Sequence, residues 1–215
     1  MLRRGVKPPQ PSPVNRILRR HTGRLNRLAG RRFGPFELLS TDFTRLVYQQ
    51  GSRRAWLIAF YDPAICMPCG WAVGPHANTD LALQAWKQVQ RTFARYRRSL
   101  SHVTLHSDQD PVFKSYRWLY QVLCRDGVEV SYSEQGAKDN PWIESNWSRL
   151  KDEHGQPMYD CDTIVQLEEQ VSSYYDYFIW RRRHQSLDYR IPIEAINEIQ
   201  NNGEPHSQAR FQLVL

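Results

Sequence analysis

Val128-Glu-Val-Ser-Tyr-Ser-Glu-Gln-Gly-Ala-Lys-Asp-Asn-Pro-Trp-Ile-Glu144 is the stretch on which the reading of the fold turns. Its first five residues read as a short strand, and Gly127 ends whatever helix precedes them. Asp139-Asn140-Pro141 is a strong helix opening, a polar cap followed by proline in the first turn. The helix so opened is predicted from Trp142 to about Glu153. Upstream, Phe36 to Thr44, Ala55 to Tyr61 and Cys69 to Gly74 read as strands with short connections, an antiparallel meander. Leu81, Ala82, Ala85, Trp86, Val89 and Phe93 fall on one helical face and predict a helix from about Thr79 to Ser99. Val103 to His106 is a further strand, and Lys114 to Asp126 a further helix. Downstream, a long helix is predicted from Asp162 to His184, and Pro192 opens a short final one. Strands in this order, interleaved with helices, give an α/β chain with a mixed five-stranded sheet flanked by helices.

The chain has 215 residues, 40% of them hydrophobic and 12% aromatic, enough for one globular domain plus arms. Its formal charge of +7 favours a polyanionic partner. That charge is concentrated: ten Lys and Arg residues lie between Arg3 and Arg32 with no Asp or Glu among them. Residues 1–34 are therefore expected to be a flexible basic arm, either merely solvated or in contact with phosphates. Residues 35–198 form the expected core and 199–215 a C-terminal tail. Cys66 and Cys69 have the spacing of a zinc knuckle or redox pair, but neither a second such pair nor a suitably spaced histidine follows. No apolar run approaches a membrane span and no hydrophobic stretch follows the N-terminal arginines, so no membrane partner is expected and a cytoplasmic, nucleoid-associated location is.

Three acids stand where an acid either costs the fold something or serves a site. Asp42 interrupts an apolar strand, Asp108 lies just past a strand end, and Glu144 sits one turn into the helix opened by Pro141. Singly, each has a structural reading: a turn residue, a helix cap, a partner of the helix dipole. Together they carry a spacing, since 35 residues stand between Asp108 and Glu144.

With that spacing the sequence resembles the integrase-type catalytic core of bacterial insertion-sequence transposases and retroviral integrases, whose signature is D, D-35-E. Thr41-Asp-Phe-Thr44 resembles the first-strand motif and His106-Ser-Asp108 the second. Ser131, Ser133, Gly136, Asp139, Asn140 and Glu144 match the third, followed by Lys151 and Glu153. Arg183-His-Gln-Ser-Leu187, Tyr189 and Pro192 resemble the end of the same domain, so the likeness covers about residues 36 to 196. It implies a ribonuclease H-like fold and a DDE-type polynucleotidyl transferase that cuts and joins DNA. Asp42, Asp108 and Glu144 would be both catalytic residues and metal ligands. Three gathered carboxylates repel one another unless cations neutralise them, and two Mg2+ (or Mn2+) ions meet that need with hard oxygen ligands. The partners implied are double-stranded DNA, as element ends and target, and further copies of the chain assembled on it.

Other candidates carry two readings each. Lys151 shares a helix face with Glu144 and either grips phosphate or is a surface lysine. Asn140 either contacts DNA or caps its helix. Arg181, Arg182, Arg183 and His184 either grip phosphates or form a solvated helix end. The sequence also departs from its relatives. Asp110 and Pro111 replace the usual small residues after the second acid, Ile65-Cys66 replaces a Ser-Arg pair, and an Asn before the final Arg-x-His is missing. These departures keep open a second function, a catalytically impaired remnant that still binds DNA. A nuclease acting on RNA–DNA hybrids shares the fold, but the acid spacing and C-terminal motif argue against it. Relatives carry a helix-turn-helix region ahead of the core; only the arginine-rich stretch precedes Phe36, so DNA binding without sequence preference is expected.

Overall fold

The computed structural model describes residues 26–28, 30–134 and 139–201. Most of the expected basic arm (1–25), Gly136 of the third motif and the tail from 202 onward lie outside the described residues. Strands β1 (Leu38–Tyr48), β2 (Arg53–Asp62) and β3 (Met67–Gly74) form the meander, followed by helix α1 (Thr79–Arg95). Strand β4 (Thr104–Ser107), helix α2 (Tyr116–Leu119), β5 (Glu129–Tyr132), α3 (Pro141–Tyr159), α4 (Ile164–Trp180) and α5 (Pro192–Asn201) complete the order. The sheet runs β3-β2-β1-β4-β5. β1–β2 and β2–β3 are antiparallel, whereas β4 is parallel to β1 and β5 parallel to β4. This is the mixed five-stranded sheet that the alternation of elements predicts.

Helices cover both faces. Successive residues of a strand point to opposite faces, and β3 shows which helix lies where. At Gly70 a Cβ would come within 2.6 Å of the Ala85 carbonyl of α1, so the missing side chain lets that helix sit directly on the strand. The next residue, Trp71, packs its ring 4.8 Å from that of Tyr175 on α4. β2, central to this sandwich, is accordingly buried from Leu57 to Asp62. Its Phe60 meets Trp86 of α1 and Trp118 of α2, and its Tyr61 meets Phe178 of α4.

Three elements differ from expectation, each for a local reason. The segment expected as one helix from Lys114 to Asp126 is a 3-10 turn (Pro111–Lys114), then α2, then a π-helical run (Tyr120–Arg125). In that wide run the Asp126 N–H bonds Gln121 O, and the Asp126 carboxylate accepts from Gln121, Gln90 and Trp86. α3 continues past Glu153 to Tyr159, kinked at His154 (φ −136°, ψ 15°). Pro157 explains the kink: it has no N–H for the Glu153 carbonyl, and its ring crowds that same carbonyl. α4 starts later than expected, where Thr163 and Gln166 form a reciprocal capping box. It also stops earlier, so the basic cluster lies beyond the helix, in a turn closed by a His184–Arg190 bridge.

Residues 26–28 and 30–34, expected as part of a flexible arm, are docked. Leu28 is fully buried and packs with Phe33, Leu38 and Trp142. The Arg27 N–H donates to Ser131 Oγ (2.9 Å), and Arg27 and Arg31 both pair with Glu129 of β5. Although partial burial opposes it, hydrogen bonds from Arg31, Arg27 and Thr104 hold the Glu129 carboxyl down to about 2. Two apolar side chains set among arginines were the signal available in the sequence.

Candidate functional site

The parallel register of β1 and β4 builds the site. Thr41 lies opposite Ser107, so the residues that follow them, Asp42 still within β1 and Asp108 just past the end of β4, come side by side. Both carboxyls are half-buried. Burial is the main reason that Asp42 is raised to about 7; the Asp108 charge adds to it, the Phe43 N–H works against it, and Glu144 and Asp110 contribute further repulsion. Burial also raises Asp108, with the Asp110 N–H opposing and the Asp110 charge adding. Phe43 stacks on Phe113 at 5.5 Å, an apolar support beside the pair.

Asp110, the departure after the second acid, has a structural task. Its carboxylate accepts from Val112 N (2.7 Å) and caps the 3-10 turn, while its own N–H donates to Asp108 Oδ1 (3.0 Å). It thus fixes the Asp108 carboxyl and at the same time adds negative charge beside it.

Glu144 is exposed on the first turn of α3, and the start of that helix is pinned to β1 by Asn140. The Asn140 side chain accepts from Ser40 Oγ and donates to the Thr41 carbonyl (3.1 Å). This corrects both readings of Asn140. At 2% exposure it offers nothing to DNA, and it makes no capping hydrogen bond because its amide is spent on β1. Replacing Asn140 by Ala would leave buried β1 groups without partners. We expect a loss of about 2–4 kcal/mol in urea unfolding; an unchanged midpoint would show that the anchor is dispensable.

A second tie reaches the same helix. His106 Nε2 lies 3.0 Å from the Asp139 carbonyl, which can only accept, so this nitrogen carries the hydrogen. Nδ1 then accepts from Ser131 Oγ, whose oxygen accepts from Arg27 N–H. One chain of hydrogen bonds therefore joins the docked segment, β5, β4 and the entry to α3. Burial lowers His106 to about 4, so it is neutral at ordinary pH. The sequence reading missed this role, although a histidine inside a buried strand was a signal for it.

Lys151, on the next turns of α3, is largely exposed but donates from Nζ to Thr44 Oγ1 (2.7 Å), two residues along β1 from Asp42. Its charge therefore stands over the acid end of the sheet.

The Arg181–His184 cluster divides. His184 is 4% exposed, edge-on to Phe178 at 4.6 Å, and lowered to about 4 by burial and by the Arg182 and Arg149 charges. A neutral buried ring does not grip phosphate, which corrects that expectation. Arg182 makes a two-pronged pair with Glu153 and ties the end of α4 to the kink of α3. Arg181 and Arg183 are exposed, and Arg183 also donates to the Tyr189 carbonyl.

Outside this region, Asp62 is fully buried and accepts backbone N–H groups from Phe36 (2.6 Å) and Ala64 (2.9 Å). Burial raises it to about 7 against those bonds. It fastens the entry to β1, where Phe36 takes a positive φ of 64°. Cys66 and Cys69 are buried free thiols. Among the described residues no three His, Cys, Asp or Glu side chains converge as a metal cluster, and no helix is long and apolar enough to cross a membrane.

Comparison with known proteins follows the same lines. The family model described as Integrase core domain matches residues 126–192, a span that includes Glu144 and the basic cluster but neither Asp42 nor Asp108. No curated protein matches by sequence. Among solved structures, a chain of the simian T-cell lymphotropic virus intasome in complex with PP2A regulatory subunit B56 gamma superposes with a TM-score of 0.61 at 11% identity. The match covers 88% of this chain and 65% of that one, so the present chain spans somewhat under two thirds of its length. The catalytic core domain of BIV integrase superposes with a TM-score of 0.52 at 18% identity, over 77% of this chain and 97% of that one. The fold is thus the ribonuclease H-like fold of integrase cores.

Proposed function

We propose that this chain is the catalytic core of a DNA transposase or integrase, cutting and joining DNA strands with the help of divalent metal. The observation that carries the reading is the register of β1 and β4, which sets Asp42 and Asp108 side by side on a shared, charge-repelled edge. Asp42, Asp108 and Glu144 would hold Mg2+ or Mn2+, two ions in the full assembly. The donor set fits hard cations, being all carboxylate oxygen, and a cation would offset both the burial that chiefly raises Asp42 and the repulsion from Asp108 that adds to it. Bound there, metal would activate the attacking water or DNA 3′-hydroxyl and stabilise the leaving oxygen.

The chain's own groups supply placement. Asn140 and His106 fix the helix that bears Glu144, and Asp110 fixes the Asp108 carboxyl. Lys151, held by Thr44, offers a cation to a phosphate beside the acids. Arg181 and Arg183 are the exposed members of the cluster and the ones available to the DNA backbone. We assign double-stranded DNA, both element ends and target, as the substrate, with copies of the chain assembling on it. An insertion-sequence origin and a nucleoid location belong to the same proposal.

A second reading, a DNA-binding protein with an impaired site, has its own support. Asp110 adds charge beside the acids, and among the described residues no three His, Cys, Asp or Glu side chains gather closely enough to form a metal cluster. Incubating the chain with labelled duplex and pre-nicked ends, with Mg2+ or Mn2+ or with chelator, separates the two. We expect metal-dependent nicking or joining. Tight binding without any metal-dependent product would decide for the impaired protein.

A further inference from the structure

At the other end of the sheet, where β1 and β4 begin, lies a cleft of about 600 Å³. Arg31, Arg32, Arg97, Arg98 and His102 line it, and Glu37 is the acid among its walls. These side chains come from three separate segments: the docked stretch before β1, the turn after α1 and the turn before β4. We propose that this cleft is a second, separate seat for the sugar-phosphate backbone of duplex DNA.

The convergence has no explanation in the fold alone. Basic residues after α1 suit the negative end of a helix dipole. That effect does not account for Arg31 and Arg32 arriving from elsewhere at the same place. Two of these charges are not cancelled locally by acids among the described residues. Arg31 pairs with Glu129, and Arg98 lies over the Phe36 ring. Arg32 and Arg97, both exposed, have no acid partner among the described residues.

The geometry suits a nucleic-acid backbone better than a single small anion. Arg97 is exposed on a turn with a backbone φ of 54°, its N–H bonded to the Ala94 carbonyl. Arg31 is fixed by Glu129, and Phe33, on which its guanidinium rests at 4.8 Å, is buried. Several partly preset guanidinium groups along an open cleft match successive phosphates. About six strand residues separate the cleft from Asp42 and Asp108, on the order of 20 Å. That is roughly six base pairs at ~3.4 Å each, so one duplex could reach both places. The arginine-rich sequence before Arg27 leads directly into this end of the chain.

The proposal rests on the reading of the chain as a DNA enzyme, and the test keeps the two apart. Arg32→Gln/Arg97→Gln removes two charges from the cleft; Arg53→Gln/Arg54→Gln removes two from the exposed start of β2. Both pairs are exposed, so folding is checked simply by equal melting temperatures. Binding to a fluorescent duplex is measured over a range of salt. The cleft pair should lower the slope of log affinity against log salt by about 2, near 0.9 per phosphate lost, and weaken binding about tenfold or more in moderate salt. The β2 pair should change it less than about twofold. Equal losses in both pairs, no loss in the cleft pair, or displacement of duplex by inorganic phosphate as readily as by competitor duplex would overturn the cleft. If wild type shows no metal-dependent product but the cleft pair still loses affinity, the catalytic reading fails and the cleft stands.

Discussion

Glu144→Gln is expected to leave duplex binding within about twofold of wild type while metal-dependent cleavage falls by on the order of 10³-fold. The side chain is exposed on the first turn of α3, so the isosteric change removes a charge without disturbing a core contact. A metal ligand supplies several kcal/mol of transition-state stabilisation, and about 4 kcal/mol corresponds to that factor. Asp42→Asn and Asp108→Asn should behave alike, because metal ligands that act as one unit are lost together rather than additively. Nicking and strand joining under single-turnover conditions, with binding measured in parallel, provide the check. Cleavage by the Gln variant at the wild-type rate would remove Glu144 from the site and leave Asp42 and Asp108 in need of another partner.

The second large effect concerns stability and pH. Asp42 titrates near 7 in the folded chain and near 3.8 in the unfolded one. Between those values the native state binds the extra proton, so this residue's contribution to stability is lost as pH rises through the window. His106 and His184, lowered to about 4, act in the opposite sense: they cost stability as pH falls from about 6.5 towards 4. The wild-type curve mixes these trends, but a difference between variants isolates one. Without metal, Asp42→Asn should melt at nearly the wild-type temperature near pH 4. Its advantage should then grow to a plateau above pH 7, worth about 2–4 kcal/mol at full shift. Millimolar Mg2+ or Mn2+ should raise the wild-type melting temperature at pH 8 and close much of that gap, since a ligand of the folded state alone stabilises it. Thermal melts at several pH values, with metal or chelator, give the answer. A pH-independent difference would mean that Asp42 is not under charge stress, and the proposed metal pocket would lose its physical basis.

The sequence reading named Asp42, Asp108 and Glu144 as candidate acids and gave the order of all ten regular elements, because both are local. Apolar periodicity names a strand or helix from within it, and proline after a polar residue opens a helix wherever it stands. The likeness to integrase-type cores rests on spacing, which is also a property of the chain alone. Asn140 shows the limit. As a polar residue before Pro141 it read as a cap or a DNA contact, and both readings assumed solvent beside it. β1 stands there instead, so its amide is consumed by Ser40 and Thr41. His184 failed in the same way: among three arginines it looked cationic, yet burial, with the Arg182 and Arg149 charges, keeps it neutral.

By itself, then, the sequence determined the alternation of elements, the concentration of positive charge ahead of Phe36 and the identity of the candidate acids. Tertiary structure alone decided which of these groups are neighbours and which are exposed. Pairing Thr41 with Ser107 is what makes Asp42 and Asp108 a repelling pair. Docking Leu28 is what turns the last arginines of an expected arm into walls of a cleft with Arg97 and Arg98. The physical reason is common to both. Secondary structure follows from interactions within a few residues, whereas burial, proton affinity and charge pairing depend on the surface brought opposite, here from elements about 60 or more residues away, and are set by the same packing that buries the core.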